Sequence, residues 1–172
     1  MENSSQAAAV IQAIAECRDL LPQEKIRHLL ASGNELFKTS SALVSRVQGS
    51  KYVVEYCVSQ EAEVDPGTEF SLGDTYCVHT LRSEAPLAFH QAGSSEIAGH
   101  PCYDMFRLET YIGAPVKIGG AAWGTVNFTA IEAREPFEEA DLEMMAALCD
   151  AVASELVASG QAASVHAGDK VT

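Results

Sequence analysis

The chain has 172 residues, of which 24 are Asp or Glu and 11 are Lys or Arg, giving a net charge of −13 at pH 7. That length suits one domain with its own core, and a hydrophobic content of 47% excludes a disordered or collagen-like chain. With acid in excess and no cluster of Lys or Arg, the chain lacks the electrostatic attraction that nucleic acids and anionic membrane surfaces require, so neither is an expected partner.

No apolar run approaches the roughly 18 residues of a bilayer span. The first thirty residues carry Glu2, Glu16, Asp19 and Glu24, so neither a signal peptide nor an anchor is expected. Five cysteines stand at 17, 57, 77, 102 and 149 without a Cys-x-x-Cys pair. This argues against a disulfide framework and against a zinc site. The expectation is a reduced, cytoplasmic protein with no cofactor and no metal.

From Ser4 to Leu21, the residues Val10, Ile14, Cys17 and Leu21 recur at helical spacing and predict an amphipathic helix. Pro22 suits the first turn of a second helix, which gathers Ile26, Leu29, Leu30, Leu36 and Phe37 on one side, with Gly33 and Asn34 weakening its middle. From Ala42 the period changes to two. Leu43 to Val47 and Tyr52 to Val58 read as hairpin strands around a turn at Gln48-Gly49-Ser50. The acidic stretch from Glu61 to Gly67 reads as a loop, and Glu69 to Leu72 as a short strand. Asp74 or Thr75 then stands where a helix running through Arg82 needs a cap. Leu87 to Phe89 is a brief strand. Residues 91 to 104, rich in Gly, Ser and Ala, read as a mobile loop with a short helix near its end. The clearest hairpin runs from Tyr111 to Ile118, turns at Gly119-Gly120 and returns through Trp123 to Phe128. After Pro136 a last helix places Phe137, Leu142, Met145, Leu148, Cys149, Val152 and Leu156 on one face, with Glu138, Glu139 and Asp141 near its positive end.

Hairpin strands bracketed by helices predict an α+β fold, a central antiparallel sheet with helices on one face. The predicted organisation is an N-terminal helix over 1–21, a domain over 22–158 and a disordered tail over 159–172.

The run ETYIGAPVKIGGAAWGTVNF, followed by Arg134-Glu135-Pro136-Phe137 and Asp141, resembles the C-terminal half of a GAF domain, and LGDTYCVHT resembles the strand-to-helix step of the same family. The likeness covers roughly residues 22 to 157. It implies N- and C-terminal helices packed together on one face of the sheet and a small-molecule pocket on the other. The family includes ligand sensors, bilin photoreceptors and a redox enzyme, so the fold leaves the function to the site.

In the GAF-type free methionine sulfoxide reductases, one cysteine precedes the crossover helix and another lies seven residues before a glutamate. Cys77 resembles the first, and Cys102 with Glu109 keeps the seven-residue spacing. Such chemistry uses one thiol to attack the sulfoxide sulfur, an acid to protonate the leaving oxygen and a second thiol to resolve the sulfenic acid. The reductase resembles a D-I-D pattern in the next strand, where this chain reads Asn127-Phe128-Thr129 and offers no carboxylate to a substrate ammonium. Cys102 also falls where bilin-binding domains carry their chromophore thiol, and Trp123 resembles part of their LWG segment. Tyr103 and Thr129 occupy the places of two expected histidines. For both cysteines the alternative is plain burial, the common state of a free thiol.

His79 and His90, or His100 with Cys102, do not complete a zinc site. His100 reads as a solvated loop residue, His79 as pointing away from Cys77, and His90 as ending a pocket-side strand. The resemblance implies a ligand pocket formed by Cys77, His90, Cys102, Tyr103, Phe106, Tyr111, Asn127 and Thr129, of the mostly apolar kind with a few polar groups. The acidic charge disfavours anionic ligands such as cyclic nucleotides.

The leading expectation is a sensory domain that binds a small organic ligand and signals through its terminal helices. It would act as a homodimer, through the apolar seam of the first helix, with a signalling partner such as a histidine kinase, its output lying in another protein or elsewhere in a longer chain. The alternative is a thiol-dependent reductase using Cys102, Cys77 and Glu109, and a further one is a bilin photosensor.

Overall fold

In the computed structural model, which describes residues 2–162, helix α1 (Glu2–Glu16) and helix α2 (Pro22–Phe37) lie against a C-terminal helix, α5 (Glu139–Ala158). The first helix stops short of the predicted Leu21. Leu21 precedes a proline and adopts an extended backbone, since the proline ring crowds the helical conformation of its predecessor. Its amide instead donates to the Glu24 carboxylate at 2.7 Å, and its side chain is 65% exposed. The contact seam of α1 is also displaced by one row from the predicted one. Ile11 is buried and Ala7 and Ile14 pack on the core, whereas Val10 is 43% exposed. Small alanines let helices approach closely, so the Ala7 row faces the neighbours.

The predicted weak point in α2 is a packing device. Any side chain at Gly33 would collide with the Phe128 ring, so the glycine lets α2 sit close to the sheet. Asn34 donates to the Val58 carbonyl at 3.1 Å and accepts from the Thr39 hydroxyl at 2.9 Å, joining the end of α2 to the sheet edge.

Six strands, β1 (Ser41–Gln48), β2 (Lys51–Ser59), β3 (Glu69–Ser71), β4 (Leu87–Phe89), β5 (Thr110–Ile118) and β6 (Ala121–Ala130), form one antiparallel sheet in the order β3-β2-β1-β6-β5-β4. The fold is therefore α+β. Gly119 and Gly120, at φ 60° and 81°, make the tight turn between β5 and β6 with the positive dihedrals that twist-matched hairpins need. The decisive non-local pairing sets β1 beside β6, with Ser41 opposite Thr129 and Leu43 opposite Asn127.

Alternation along the strands sends side chains to opposite faces. Val44, Ile112, Ala114, Val126 and Phe128 join Ile26, Leu29, Leu30, Phe37, Met145, Leu148, Val152 and Leu156 beneath the helices. Arg134 clasps this layer: its Nη1 donates to the Phe37 carbonyl at 2.6 Å and its guanidinium lies 3.8 Å over the Phe137 ring. Glu138 N–H donates to Asp141 at 2.8 Å at the start of α5. The chain then continues as a turn through Ala162, which is buried and donates to the Leu156 carbonyl. The rest of the predicted tail, 163–172, lies outside the described residues.

The other face carries the segments between β3 and β5, including α3 (Cys77–Ser83) and α4 (Pro101–Phe106). Neither Asp74 nor Thr75 caps α3. Tyr76 holds the cap position without a side-chain bond to the helix, and the Thr75 hydroxyl closes the preceding 3₁₀ turn on the Leu72 carbonyl at 2.9 Å. Among the described residues no helix is long and apolar enough to cross a membrane.

Candidate functional site

On this second face the alternation of β6 places Thr125, Asn127 and Thr129 together, while β2 brings Tyr52, β5 brings Tyr111 and the first turn of α3 brings Cys77. The Cys77 sulfur is the meeting point. It accepts from Asn127 Nδ2 at 3.1 Å, Thr125 Oγ1 at 3.3 Å and the Tyr111 hydroxyl at 3.4 Å. Its own S–H donates to the Tyr52 hydroxyl at 3.5 Å, which also accepts from Asn127 Nδ2 at 2.8 Å. Thr80 and Tyr111 share a further bond at 2.6 Å. Every member is buried. Burial, and then the nearby Cys77, pushes the Tyr52 and Tyr111 phenols well above their ordinary range, so both stay neutral, Tyr111 donating to the sulfur and Tyr52 accepting from it and from Asn127. A sulfur is a weak acceptor, and three converging donors fix the thiol in place.

Above this floor opens a cavity of about 240 Å³. Apolar walls come from Leu43, Val64, Phe70, Tyr76, Phe106 and Leu108, and the mouth lies by Ser59, Glu61, Ala62 and Ile131. Phe106 and Ile131 are 36% and 48% exposed there. Glu61 is the one charged lining residue among those described.

Six of the eight residues expected around a pocket, Cys77, Cys102, Phe106, Tyr111, Asn127 and Thr129, line this cavity. His90 and Tyr103 do not. His90 follows β4, and its carbonyl accepts from the Arg134 amide at 3.1 Å. The Tyr103 hydroxyl donates to Glu109 Oε1 at 2.8 Å, and the other carboxylate oxygen of Glu109 accepts from Gly93 N–H at 2.9 Å. Glu109 thus ties residues 92–103 to the start of β5, outside the cavity lining, and the fully buried Ala92 anchors the same segment.

Cys102 lies in the first turn of α4, and burial pushes its thiol up to about 12. The amide of Cys102 donates to His100 Nδ1 at 3.1 Å. His100 is therefore not a solvated loop residue: its ring packs against Tyr76 at 5.3 Å and against His79 at 5.0 Å. Burial holds both imidazoles below their usual range.

A family model for the GAF domain matches residues 22–156. The chain belongs to the GAF domain family. No curated protein matches it. Among solved structures, the GAF domain of an Acinetobacter phosphoenolpyruvate-protein phosphotransferase is 13% identical, with 95% of this chain and 98% of that chain covered at TM-score 0.71. The phycocyanobilin-bound GAF domain from a cyanobacterial phytochrome is 15% identical, covering 92% and 96% at TM-score 0.70. The free methionine-R-sulfoxide reductase from Neisseria meningitidis, in complex with its substrate, is 14% identical, covering 92% and 89% at TM-score 0.66. At such identities the likeness shows the GAF fold alone.

Several residues of this GAF domain's site escape sequence reading. Thr125 was within reach, because it shares the pleat of Asn127 and Thr129. Tyr52 and Tyr76 carry no local signal, since Tyr52 reaches the site only through the pairing of β1 with β6.

Proposed function

We propose that this GAF domain is a sensory module that holds a small organic ligand in the cavity beneath α4 and passes its occupancy to a partner through α1 and α5. The observation that carries the reading is the cavity itself, a mostly apolar space of about 240 Å³ with a polar floor, the usual form of a small-molecule site. Exposed Val10 and Val157, at 43% and 56%, support pairing of the terminal helices with a second copy, and a histidine kinase is a fitting class of output partner. A fragment screen by ligand-observed NMR tests the reading, using the wild type and Thr129→Tyr, whose larger side chain fills the cavity. Hits lost on substitution, together with slowed hydrogen exchange in α1 and α5 on saturation by a hit, are expected. The same hits in both proteins would overturn it.

A second reading, thiol-dependent reduction of free methionine sulfoxide, is favoured by Cys77 and Cys102 lining one cavity. Against it stand the thiol of Cys102, raised to about 12, the use of Glu109 to hold a loop, and neutral Asn127 and Thr129 where a substrate ammonium would need a charge. Reductant consumption with free methionine sulfoxide, measured for the wild type and Cys102→Ser, separates the two readings. Equal background is expected. A covalent tetrapyrrole is less well supported still, because four linked pyrrole rings far exceed this volume.

A further inference from the structure

Among the described residues, the floor of the cavity leaves two polar atoms without partners. Asn127 spends both amide hydrogens, on Tyr52 and on Cys77, and among the described residues nothing donates to its carbonyl oxygen Oδ1. The hydroxyl of Thr129 has no hydrogen bond among them either. Both residues line the cavity and are 3% and 7% exposed, so the little accessible surface these atoms keep belongs to the cavity. Unmet hydrogen-bonding capacity at such depth costs stability unless a guest or ordered water meets it.

The two residues are two positions apart on one face of β6, roughly 7 Å along the strand. That separation spans a six-membered ring with its substituents. The volume agrees with a guest of this size: an apolar cavity of about 150 Å³ accepts benzene, and the extra space admits two small polar substituents. Charge narrows the class further. Among the described residues no Lys, Arg or His lines the cavity, and the one carboxylate that does, Glu61, is exposed at the mouth. An ion carried to the floor would lose its hydration with no counter-charge to replace it, and an anion would also meet the field of a chain carrying −13.

We propose that the ligand is an uncharged, single-ring molecule with polar groups at opposite ends of the ring, one donating to Asn127 Oδ1 and the other hydrogen-bonded to the Thr129 hydroxyl. The inference rests on the sensory reading and names its ligand class.

The test uses the full chain and four probes: benzene, neutral 4-hydroxybenzamide, anionic 4-hydroxybenzoate and cationic 4-hydroxybenzamidine. Binding is followed by ligand-observed NMR at pH 7. The amide should bind at least tenfold more tightly than either ion. Thr129→Val, which removes only an unpartnered hydroxyl, should weaken the amide several-fold and leave benzene within about twofold. Asn127→Leu should weaken the amide at least tenfold, and retained benzene binding reports that the cavity has survived. Equal binding of an ion and the amide would overturn the proposal, as would amide affinity unchanged in Thr129→Val. If benzene enters but no polar probe gains over it, the class fails while the cavity stands as a ligand site. If benzene itself does not enter the wild type, the sensory reading falls with it.

Discussion

The two faces of the sheet solve different problems with the same strands. Beneath the helices, Phe37, Val44, Ile112, Val126, Phe128, Met145, Val152 and Leu156 are all fully buried, an aliphatic and aromatic layer whose stabilisation scales with apolar area and needs no particular direction. Across the sheet, tyrosines, threonines, an asparagine and two cysteines surround an open space. Such groups are stable at depth only when their hydrogen bonds are met, and bonds with fixed directions hold side chains apart where apolar packing would close the gap. One face supplies the stability, and the other uses part of it to keep a cavity open.

This contrast predicts a graded set of effects. Phe128→Ala should be the most damaging, at about 3–5 kcal/mol, because it removes a ring from the dry layer. Urea denaturation measures it. Arg134→Ala should come next at about 2 kcal/mol, through loss of a charged hydrogen bond to α2 and of the contact with Phe137. The mid-point should fall without a change in slope. Tyr111→Phe should cost about 1–2 kcal/mol, since it leaves buried Thr80 without its partner. A loss equal to that of Phe128→Ala would break the distinction between the faces.

The fourth effect depends on pH. His79 and His100 have imidazoles held down in the folded state, by burial first and then by Arg82 and His79 respectively, with Asp74 pulling His100 the other way. Above about pH 6.5, the ordinary value for an unfolded histidine, neither state gains a proton. Below it the unfolded chain protonates first, so stability falls with falling pH. Protonation would also remove the Nδ1 acceptor that holds the Cys102 amide. His100→Asn keeps an acceptor at the cap and should flatten the loss of stability between pH 7 and pH 5, followed by urea mid-points. Smallest of all, Lys51→Ala removes an exposed pair with Glu69 at 3.5 Å and should change stability by less than about 1 kcal/mol.

The sequence by itself determined whatever depends on neighbours along the chain. The hairpin through Gly119-Gly120, the apolar face of α5 and the α+β class were legible because periods of 2 and 3.6 are local properties. Local period also put Asn127 and Thr129 on one face of their strand. The tertiary structure alone decided the rest. Pro22 keeps Leu21 out of a helical backbone, but which row of α1 is buried depends on how closely it meets α2 and α5, and so Ile11 replaced Val10. Glu109 stands at the spacing of a reactive site from Cys102, yet its carboxylate accepts from Tyr103 and Gly93 instead, because the segment it holds folds back on the start of β5. Tyr52 reaches Cys77 and Asn127 only once β1 has paired with β6 across some eighty residues of chain. The sulfur at the centre of the floor, carried by α3, thus owes its hydrogen-bond partners to three strands, an arrangement set by sheet order and not by any run of sequence.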